Sequence, residues 1–212
     1  MKRWLRWGFK LGGSMLVLQL AVRIYLYLWP KVTPPLVAFL LDSRIRRLYR
    51  NPVRTLAPLQ LGDGETVLEI GSGTGTFTLV GARQVSPHGK LIGIELQSGM
   101  IRTLLPRVRQ AATTNIVIQR ANAQALPLSA ACVDAAYLIA VLPMTPNKQD
   151  VLREVRRVLK PGGRLLISEE VIAPEYVPPF VTQRWGRQAG FMVVHTMRGF
   201  WAYSILFRKP KD

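Results

Sequence analysis

Residues 67–76 read VLEIGSGTGT, an apolar run with one acidic residue that passes into three glycines at alternate positions. A continuous apolar run of this length is typical of a strand buried on both faces of a parallel sheet. Glycine lets the chain turn sharply and lets a ligand approach backbone N–H groups. Ligands of open parallel sheets bind beyond the carboxyl ends of the strands. The stretch therefore predicts a ligand loop after the first strand of an α/β domain.

Strand and helix patterns alternate along the chain that follows. Apolar runs predict strands at 66–71, 90–96, 115–119, 133–142 and 164–170, and two more in FMVVHTM (191–197) and AYSILFRK (202–209). Helical spacing is found at 76–85, 98–112, 147–160 and 181–189. Asn147 is predicted to cap the helix at 147–160, and the PGG turn that follows is predicted to end it. This alternation predicts a parallel sheet covered by helices on both faces.

Three further features indicate the class of ligand. The dinucleotide fingerprint G-x-G-x-x-G would place its third glycine at position 76, where this chain has threonine, so the G-x-G-x-G spacing argues against a dinucleotide. Glu95 ends the second predicted strand, where a carboxylate can accept hydrogen bonds from both hydroxyl groups of a ribose. The ligand is therefore expected to carry a free ribose diol. The loop ANAQALPL (121–128) follows the third strand and is placed to meet the edge of a base.

Four segments together resemble the class I S-adenosylmethionine-dependent methyltransferases, and in particular the small branch near the ubiquinone and menaquinone methyltransferases. They are VLEIGSGTG, the strand end GIELQ, the loop NAQALP and REVRRVLKPGGRLLISEE. The resemblance extends over residues 50–208. It implies a Rossmann-like, mostly parallel sheet of seven strands, whose last strand runs antiparallel, with helices on both faces.

The resemblance also implies the cofactor, S-adenosylmethionine, and its binding residues. Glu69 and the glycine loop are implied at the methionine end, and Glu95 at the ribose. Asn122 would meet the adenine, and Ala140 would border the donor methyl. The complete implied set is Glu69, Gly71, Ser72, Gly73, Gly75, Glu95, Leu96, Asn122, Ala123, Ile139 and Ala140. The catalytic residues stay unassigned, and no metal site is predicted.

Three features depart from the family pattern. Asn122 stands where the family usually has aspartate, so the adenine amino group would meet an uncharged acceptor and a weaker bond. Leu142, Pro143 and Met144 follow the fourth strand, where many relatives have a polar residue, so no general base is expected beside the acceptor. Only residues 171–190 separate strands five and six, in place of a long helical lid. A membrane surface or a large partner would then have to exclude water.

The first 50 residues are basic and apolar, unlike the rest. The formal net charge is +17, and residues 1–60 carry eleven basic residues against the single acidic Asp42. Leu11 to Trp29 would span about 28 Å as a helix, close to the hydrocarbon thickness of a bilayer. Trp4, Trp7 and Tyr27 are among the aromatic residues that flank the run, as at membrane interfaces. We predict a membrane-associating segment with an apolar helix at 1–50, and a methyltransferase domain at 51–212.

Three arrangements of this segment are open: insertion into the interface, a transmembrane span, and docking on a partner protein. Interfacial or hairpin-like insertion is favoured because it keeps both basic flanks, before and after the apolar run, on the cytosolic face. The catalytic domain is accordingly expected on the cytoplasmic face of the membrane.

The combined features predict a membrane-associated methyltransferase that acts on an amphiphile, either a lipid headgroup or an isoprenoid quinone-type acceptor. The expected partners are anionic lipids and that small-molecule substrate. One alternative is a non-catalytic, methyltransferase-like subunit of a membrane complex. A second is an RNA methyltransferase, which the net charge suggests. Nucleic acid is not an expected partner, because much of the charge accompanies the apolar segment and no N/D-P-P-Y/F motif follows strand four.

Overall fold

The computed structural model describes Arg46 and residues 49–211. The apolar helix predicted at 11–29 and the other predictions on residues 1–45 lie outside this part of the chain. Among the described residues, no helix has both the length and the apolar character needed to cross a membrane.

Strands and helices alternate from residue 66 onward. The strands are β1 (Thr66–Ile70), β2 (Lys90–Glu95), β3 (Ile116–Arg120), β4 (Val133–Ile139), β5 (Leu159–Glu170), β6 (Met192–Arg198) and β7 (Ala202–Arg208). The α-helices are α1 (Pro52–Leu56), α2 (Thr78–Gln84), α3 (Ser98–Gln110), α4 (Lys148–Val158) and α5 (Pro179–Gln188). Short 3₁₀ turns lie at Ala57–Leu59 and Leu142–Met144.

The seven strands form one sheet in the order β3-β2-β1-β4-β5-β7-β6. Strands β1 to β5 pair in parallel, whereas β7 pairs antiparallel with both β5 and β6. The predicted mostly parallel seven-stranded sheet with an antiparallel last strand is confirmed. Because β7 is antiparallel to both of its neighbours, β5 and β6 run in the same direction. The turn between β6 and β7 therefore lies at the edge where the carboxyl ends of β1 to β5 also lie.

The alternation of side chains along β1 divides the core into two layers. Leu68 and Ile70 face the layer that contains Val151 and other apolar residues of α4. Val67 faces the opposite layer, where Ala82 of α2 packs against the sheet. Burying both faces explains why the central strands β1, β2 and β4 are mainly apolar.

Most element ends lie within two residues of the prediction, but the boundary between α4 and β5 and the end of β4 differ by more. Helix α4 starts at the Asn147 cap as predicted but ends at Val158, before the PGG turn. The backbone turns extended at Leu159, whose side chain is fully buried, and residues 159–163 join β5 as an irregularity in its pairing with β4. Strand β4 ends at Ile139, three residues early, because Ala140 adopts the left-handed conformation with φ of 54°.

Candidate functional site

The loop after β1 takes a conformation that favours glycine at all three alternate positions. Gly71, Gly73 and Gly75 have φ of 76°, 53° and 96°. A Cβ on Gly71 would lie 2.4 Å from a methyl carbon of Val141, and one on Gly75 would lie 2.4 Å from Leu104 Cδ1. Glycine is therefore required by backbone conformation throughout the loop and by close packing at two of its positions.

Glu95 joins the end of β2 to this loop. Its Oε2 accepts a hydrogen bond from the Gly73 N–H at 2.9 Å, and its Oε1 accepts one from the Gln97 N–H at 2.8 Å. The side chain is buried at the cavity wall. An ionised carboxylate offers about four acceptor positions, so two hydrogen bonds leave capacity for hydroxyl groups of a ligand. Glu95 is therefore a hydrogen-bond acceptor held in a fixed position beside the glycine loop.

A cavity of about 220 Å³ lies at the carboxyl ends of β1, β2 and β4. Nine of the eleven residues implied by the resemblance line it: Gly71, Ser72, Gly73, Glu95, Leu96, Asn122, Ala123, Ile139 and Ala140. Residues that sequence reasoning did not identify also line it: Arg46, Ile70, Thr74, Thr76, Phe77, Ile94, Gln97, Met100, Ala121, Gln124, Val141, Met144, Thr145 and Pro146. Within the described chain, Arg46 and Glu95 are its only charged lining residues.

Ala140 forms part of the wall in a conformation that alanine rarely adopts. Its N–H donates to the Ser168 carbonyl on β5 at 2.8 Å, which holds the left-handed turn in place. The chain then enters the 3₁₀ turn Leu142–Met144, which brings Met144 to the cavity. A left-handed alanine at a cavity wall is strained backbone of the kind that clusters at ligand sites.

The loop after β3 contributes Asn122 through an internal turn. The Asn122 side-chain oxygen accepts a hydrogen bond from the Gln124 N–H at 3.0 Å. Asn122 is exposed, and Ala123 beside it is half-buried. At the end of β3, Arg120 Nε donates to the Leu96 carbonyl at 3.2 Å and ties the ends of β2 and β3 together. Leu96 presents an exposed apolar surface at the mouth of the cavity.

Glu69 and Gly75 belong to the implied set but do not line the cavity. Glu69 alternates with Leu68 and Ile70, so its side chain points into the layer covered by α2 and accepts a hydrogen bond from the Thr78 hydroxyl. Burial raises the pKa of Glu69 to about 7, against the lowering effect of that hydrogen bond. Gly75 packs against α3 and supports the loop. Contact of either residue with the cofactor stays a prediction.

No sequence pattern predicted Arg46 at the site, because it lies in the segment assigned to the membrane. Arg46 lines the cavity, and its guanidinium donates to Glu170 Oε1, from Nη2 at 2.5 Å and from Nε at 3.0 Å. Tyr49 donates to the same carboxylate at 3.2 Å, and Arg50 Nε lies 3.6 Å away. Burial raises the pKa of Glu170, but the hydrogen bonds and charges of these neighbours outweigh it and lower that pKa.

A family model described as a methyltransferase domain matches residues 61–186, more than half of the chain. The chain belongs to this family. The resemblance to class I S-adenosylmethionine-dependent methyltransferases is therefore confirmed, and with it the family's cofactor.

Curated relatives of this methyltransferase domain include two quinone-pathway proteins and one arsenite enzyme. A demethylmenaquinone methyltransferase of Lactococcus lactis is 35% identical over 112 residues, 52% of this chain and 44% of that protein. A ubiquinone/menaquinone biosynthesis C-methyltransferase of Pasteurella multocida is 36% identical over 107 residues, 50% of this chain and 40% of that protein. An arsenite methyltransferase of Halobacterium salinarum is 33% identical over 111 residues, 52% and 28% respectively. The chain thus covers less than half the length of these relatives.

The fold has a solved counterpart in a SAM-dependent methyltransferase from Aquifex aeolicus. The TM-score is 0.79 at 22% identity, over 84% of this chain and 99% of that chain. The groups around the cavity fit S-adenosylmethionine chemically: a carboxylate for the ribose hydroxyls, amide groups and apolar side chains for the adenine, and bare glycine backbone for close approach. No lining residue in the described part of the chain requires a different class of ligand.

Proposed function

We propose that the protein is an S-adenosylmethionine-dependent methyltransferase that acts at a membrane on an amphiphilic acceptor, a lipid headgroup or an isoprenoid quinone-type compound. The observation that carries the activity is Glu95, held between the N–H groups of Gly73 and Gln97 at the wall of the cavity. The named activities of the quinone-pathway relatives support the choice of a lipophilic acceptor.

The bound cofactor would supply a methyl group on a positively charged sulfur. Glu95 would orient the ribose by accepting hydrogen bonds, and Gly71 and Gly73 would let the backbone approach closely. Ile139 and Ala140 would form the wall beside the methyl group. Methyl transfer of this kind depends chiefly on alignment, which a rigid wall at the strand ends provides.

The cavity offers an acceptor both apolar surface and the guanidinium of Arg46, which is paired with Glu170. Beyond Ala140, the wall is built by Val141, Met144 and Pro146. Arg46 lies towards β5, away from Glu95 on β2, because it is bonded to Glu170 at the end of β5. A guanidinium in such a site favours an acceptor that carries an oxyanion or another electron-rich oxygen. An amphiphile with a polar, deprotonable head fits this arrangement.

The membrane part of the proposal is supported by the sequence of the first 50 residues. We infer that this segment lies in the bilayer interface with its basic flanks against anionic lipids, and that the domain faces the cytoplasm. A membrane protein complex is a further partner consistent with the same segment.

Calorimetry and methyl transfer test the activity. We expect the full-length chain to bind S-adenosylmethionine and to transfer label from it to a fraction of total membrane lipids. Glu95→Ala should weaken cofactor binding about 10- to 100-fold, because hydrogen bonds to a charged group contribute about 1.5–3 kcal/mol. Asp63→Asn is the control, since that carboxylate is exposed and bonds His88 in a turn that does not line the cavity.

Three other outcomes would contradict the proposal or favour an alternative. Absence of cofactor binding by the wild-type chain would overturn the proposal. Binding without transfer to any lipid fraction would support the non-catalytic subunit. Steeply salt-dependent RNA binding that survives deletion of residues 1–35 would support the RNA methyltransferase.

A further inference from the structure

The turn between β6 and β7 carries two exposed aromatic residues. Phe200 is 83% exposed and Trp201 is 47% exposed, and their rings meet edge to face with centroids 4.7 Å apart. The Gly199 N–H donates to the Ala202 carbonyl at 2.8 Å and closes the turn around them. Turns of this kind favour glycine, asparagine and aspartate for conformational reasons. Two large aromatic side chains at the tip are therefore not explained by the turn itself.

A third apolar side chain extends this surface. The Val171 N–H donates to the Trp201 carbonyl at 2.8 Å, which brings the chain after β5 beside the turn. Ile172 follows and is 49% exposed. Ile172, Phe200 and Trp201 together are named the edge patch. Exposed apolar side chains grouped in this way and rimmed by polar residues mark protein or membrane interaction sites.

Two arginines accompany the edge patch. Arg198 immediately precedes the turn, and it shares a groove with Arg54, Tyr49 and Gly199. Both arginines are exposed, and neither side chain forms an ion pair within the described part of the chain. Aromatic residues flanked by arginine are typical of surfaces that insert into the headgroup region of anionic bilayers.

The edge patch lies at the same edge of the sheet as the cavity. β6 runs parallel to β5, so its carboxyl end and the turn lie beside the carboxyl ends of β1 to β5. A chain of contacts joins the two places: Arg46 lines the cavity and bonds Glu170, Tyr49 bonds Glu170, and the Tyr49 ring lies 6.2 Å from that of Trp201. A surface bound through the edge patch would thus face the side of the domain where the cavity lies.

We propose that the edge patch docks on an anionic lipid bilayer, through Ile172, Phe200 and Trp201 in the interface and Arg54 and Arg198 against the headgroups. This inference deepens the proposed membrane function and rests on it. It differs in assigning a bilayer contact to the methyltransferase domain itself, in addition to the segment at 1–50. The contact would shorten the path of an amphiphile from the bilayer to the cavity.

A site-specific fluorophore tests the contact in the full-length chain. In a Cys132→Ala background, Phe200→Cys is labelled with a polarity-sensitive dye, and Met192→Cys is labelled as the control. Met192 is 51% exposed but lies at the opposite end of β6. With vesicles containing phosphatidylglycerol, we expect emission at position 200 to shift to the blue and to rise several-fold, with no change at position 192. Unchanged emission at position 200 while the protein sediments with the vesicles, or no sedimentation at all, would overturn the inference.

Unlabelled variants supply a second readout. Phe200→Ser combined with Trp201→Ser should weaken binding to anionic vesicles about ten-fold, and Met192→Ser should leave it unchanged. Arg54→Ala and Arg198→Ala should each weaken it about five-fold, with a smaller effect at high salt. All substituted side chains are exposed or half-exposed, and thermal melts verify folding. Continued methyl transfer to detergent-solubilised lipid by the double variant would show that the proposed activity stands whether or not the docking does.

Discussion

The carboxyl group of Glu69 is enclosed in the layer between β1 and α2, with Tyr137 and Thr78 beside it. Burial favours the neutral form of a carboxylic acid, and the pKa of about 7 places Glu69 close to half-protonated at neutral pH. The free energy of unfolding therefore depends on pH through this residue.

The stability of the fold should respond to the titration of Glu69. Because its pKa is higher in the folded chain than in the unfolded chain, the folded state binds the extra proton between the two values. Its contribution is complete below about pH 4.5 and is lost as the pH rises through about 7. Glu69→Gln should remove this component, which amounts to about 3 kcal/mol. Urea titrations at pH 5, 6, 7 and 8 measure the free energy of unfolding.

The control for that series is Asp63→Asn. The His88 side chain lowers the pKa of Asp63, so that group titrates below the pH window used. A variant at Glu69 whose stability depends on pH as the wild type does would contradict the assignment.

Alanine substitutions in and near the glycine loop test whether its backbone conformation requires glycine. Gly71→Ala forces an alanine to a φ of 76° and into the Val141 side chain. The left-handed conformation alone costs about 1–2 kcal/mol, and cofactor affinity should fall together with stability. Gly62→Ala is the matched control, since no atom lies within 4 Å of its added Cβ and its φ is outside the left-handed region. Chemical denaturation and calorimetry of both variants measure the two effects.

Equal loss of stability in the two variants would mean that the loop does not need glycine for its conformation. The control is expected to be neutral or to gain up to about 1 kcal/mol, because alanine restricts the unfolded chain.

The positions of the buried strands β1, β2 and β4 were predictable from the sequence because such strands carry long, mainly apolar runs. The ends of elements were less so, since they depend on tertiary contacts. Leu159 leaves the helical pattern of α4 to fill the core, and Ala140 ends β4 through a hydrogen bond to Ser168 on the neighbouring strand. The Glu69 side chain was predicted in the right strand, but which layer it faces follows from the packing of α2.

The molecule as a whole depends on a buried ion network that no local pattern encodes. Arg46 and Glu170 are 124 positions apart, and their side chains are 12% and 6% exposed. Contacts of such separation cannot be derived from periodicity, which is why Arg46 was assigned with the membrane segment. Because Arg46 lines the cavity, the chain before α1 contributes to the site.

Removal of Arg46 should destabilise the whole domain. Arg46→Ala removes the hydrogen bonds from its guanidinium but leaves Glu170 beside Tyr49 and Arg50, so we expect a loss of about 2–3 kcal/mol. Arg153→Ala is the control, because its pair with Asp150 is exposed and should contribute less than about 1 kcal/mol. Thermal and urea unfolding measure both. A loss for Arg46→Ala no larger than that of the control would show that the network does not stabilise the fold.

The hydrogen bond from the Gly73 N–H to Glu95 also determines when the glycine loop loses its conformational freedom. A loop of three glycines has much backbone entropy to lose, and here a strand-end carboxylate fixes it as the chain folds. A ligand that arrives later meets an ordered loop, so little of its contact free energy is spent on immobilising backbone. The loss of backbone entropy therefore lowers the folding stability and not the binding affinity. Binding is correspondingly tighter for the same number of contacts.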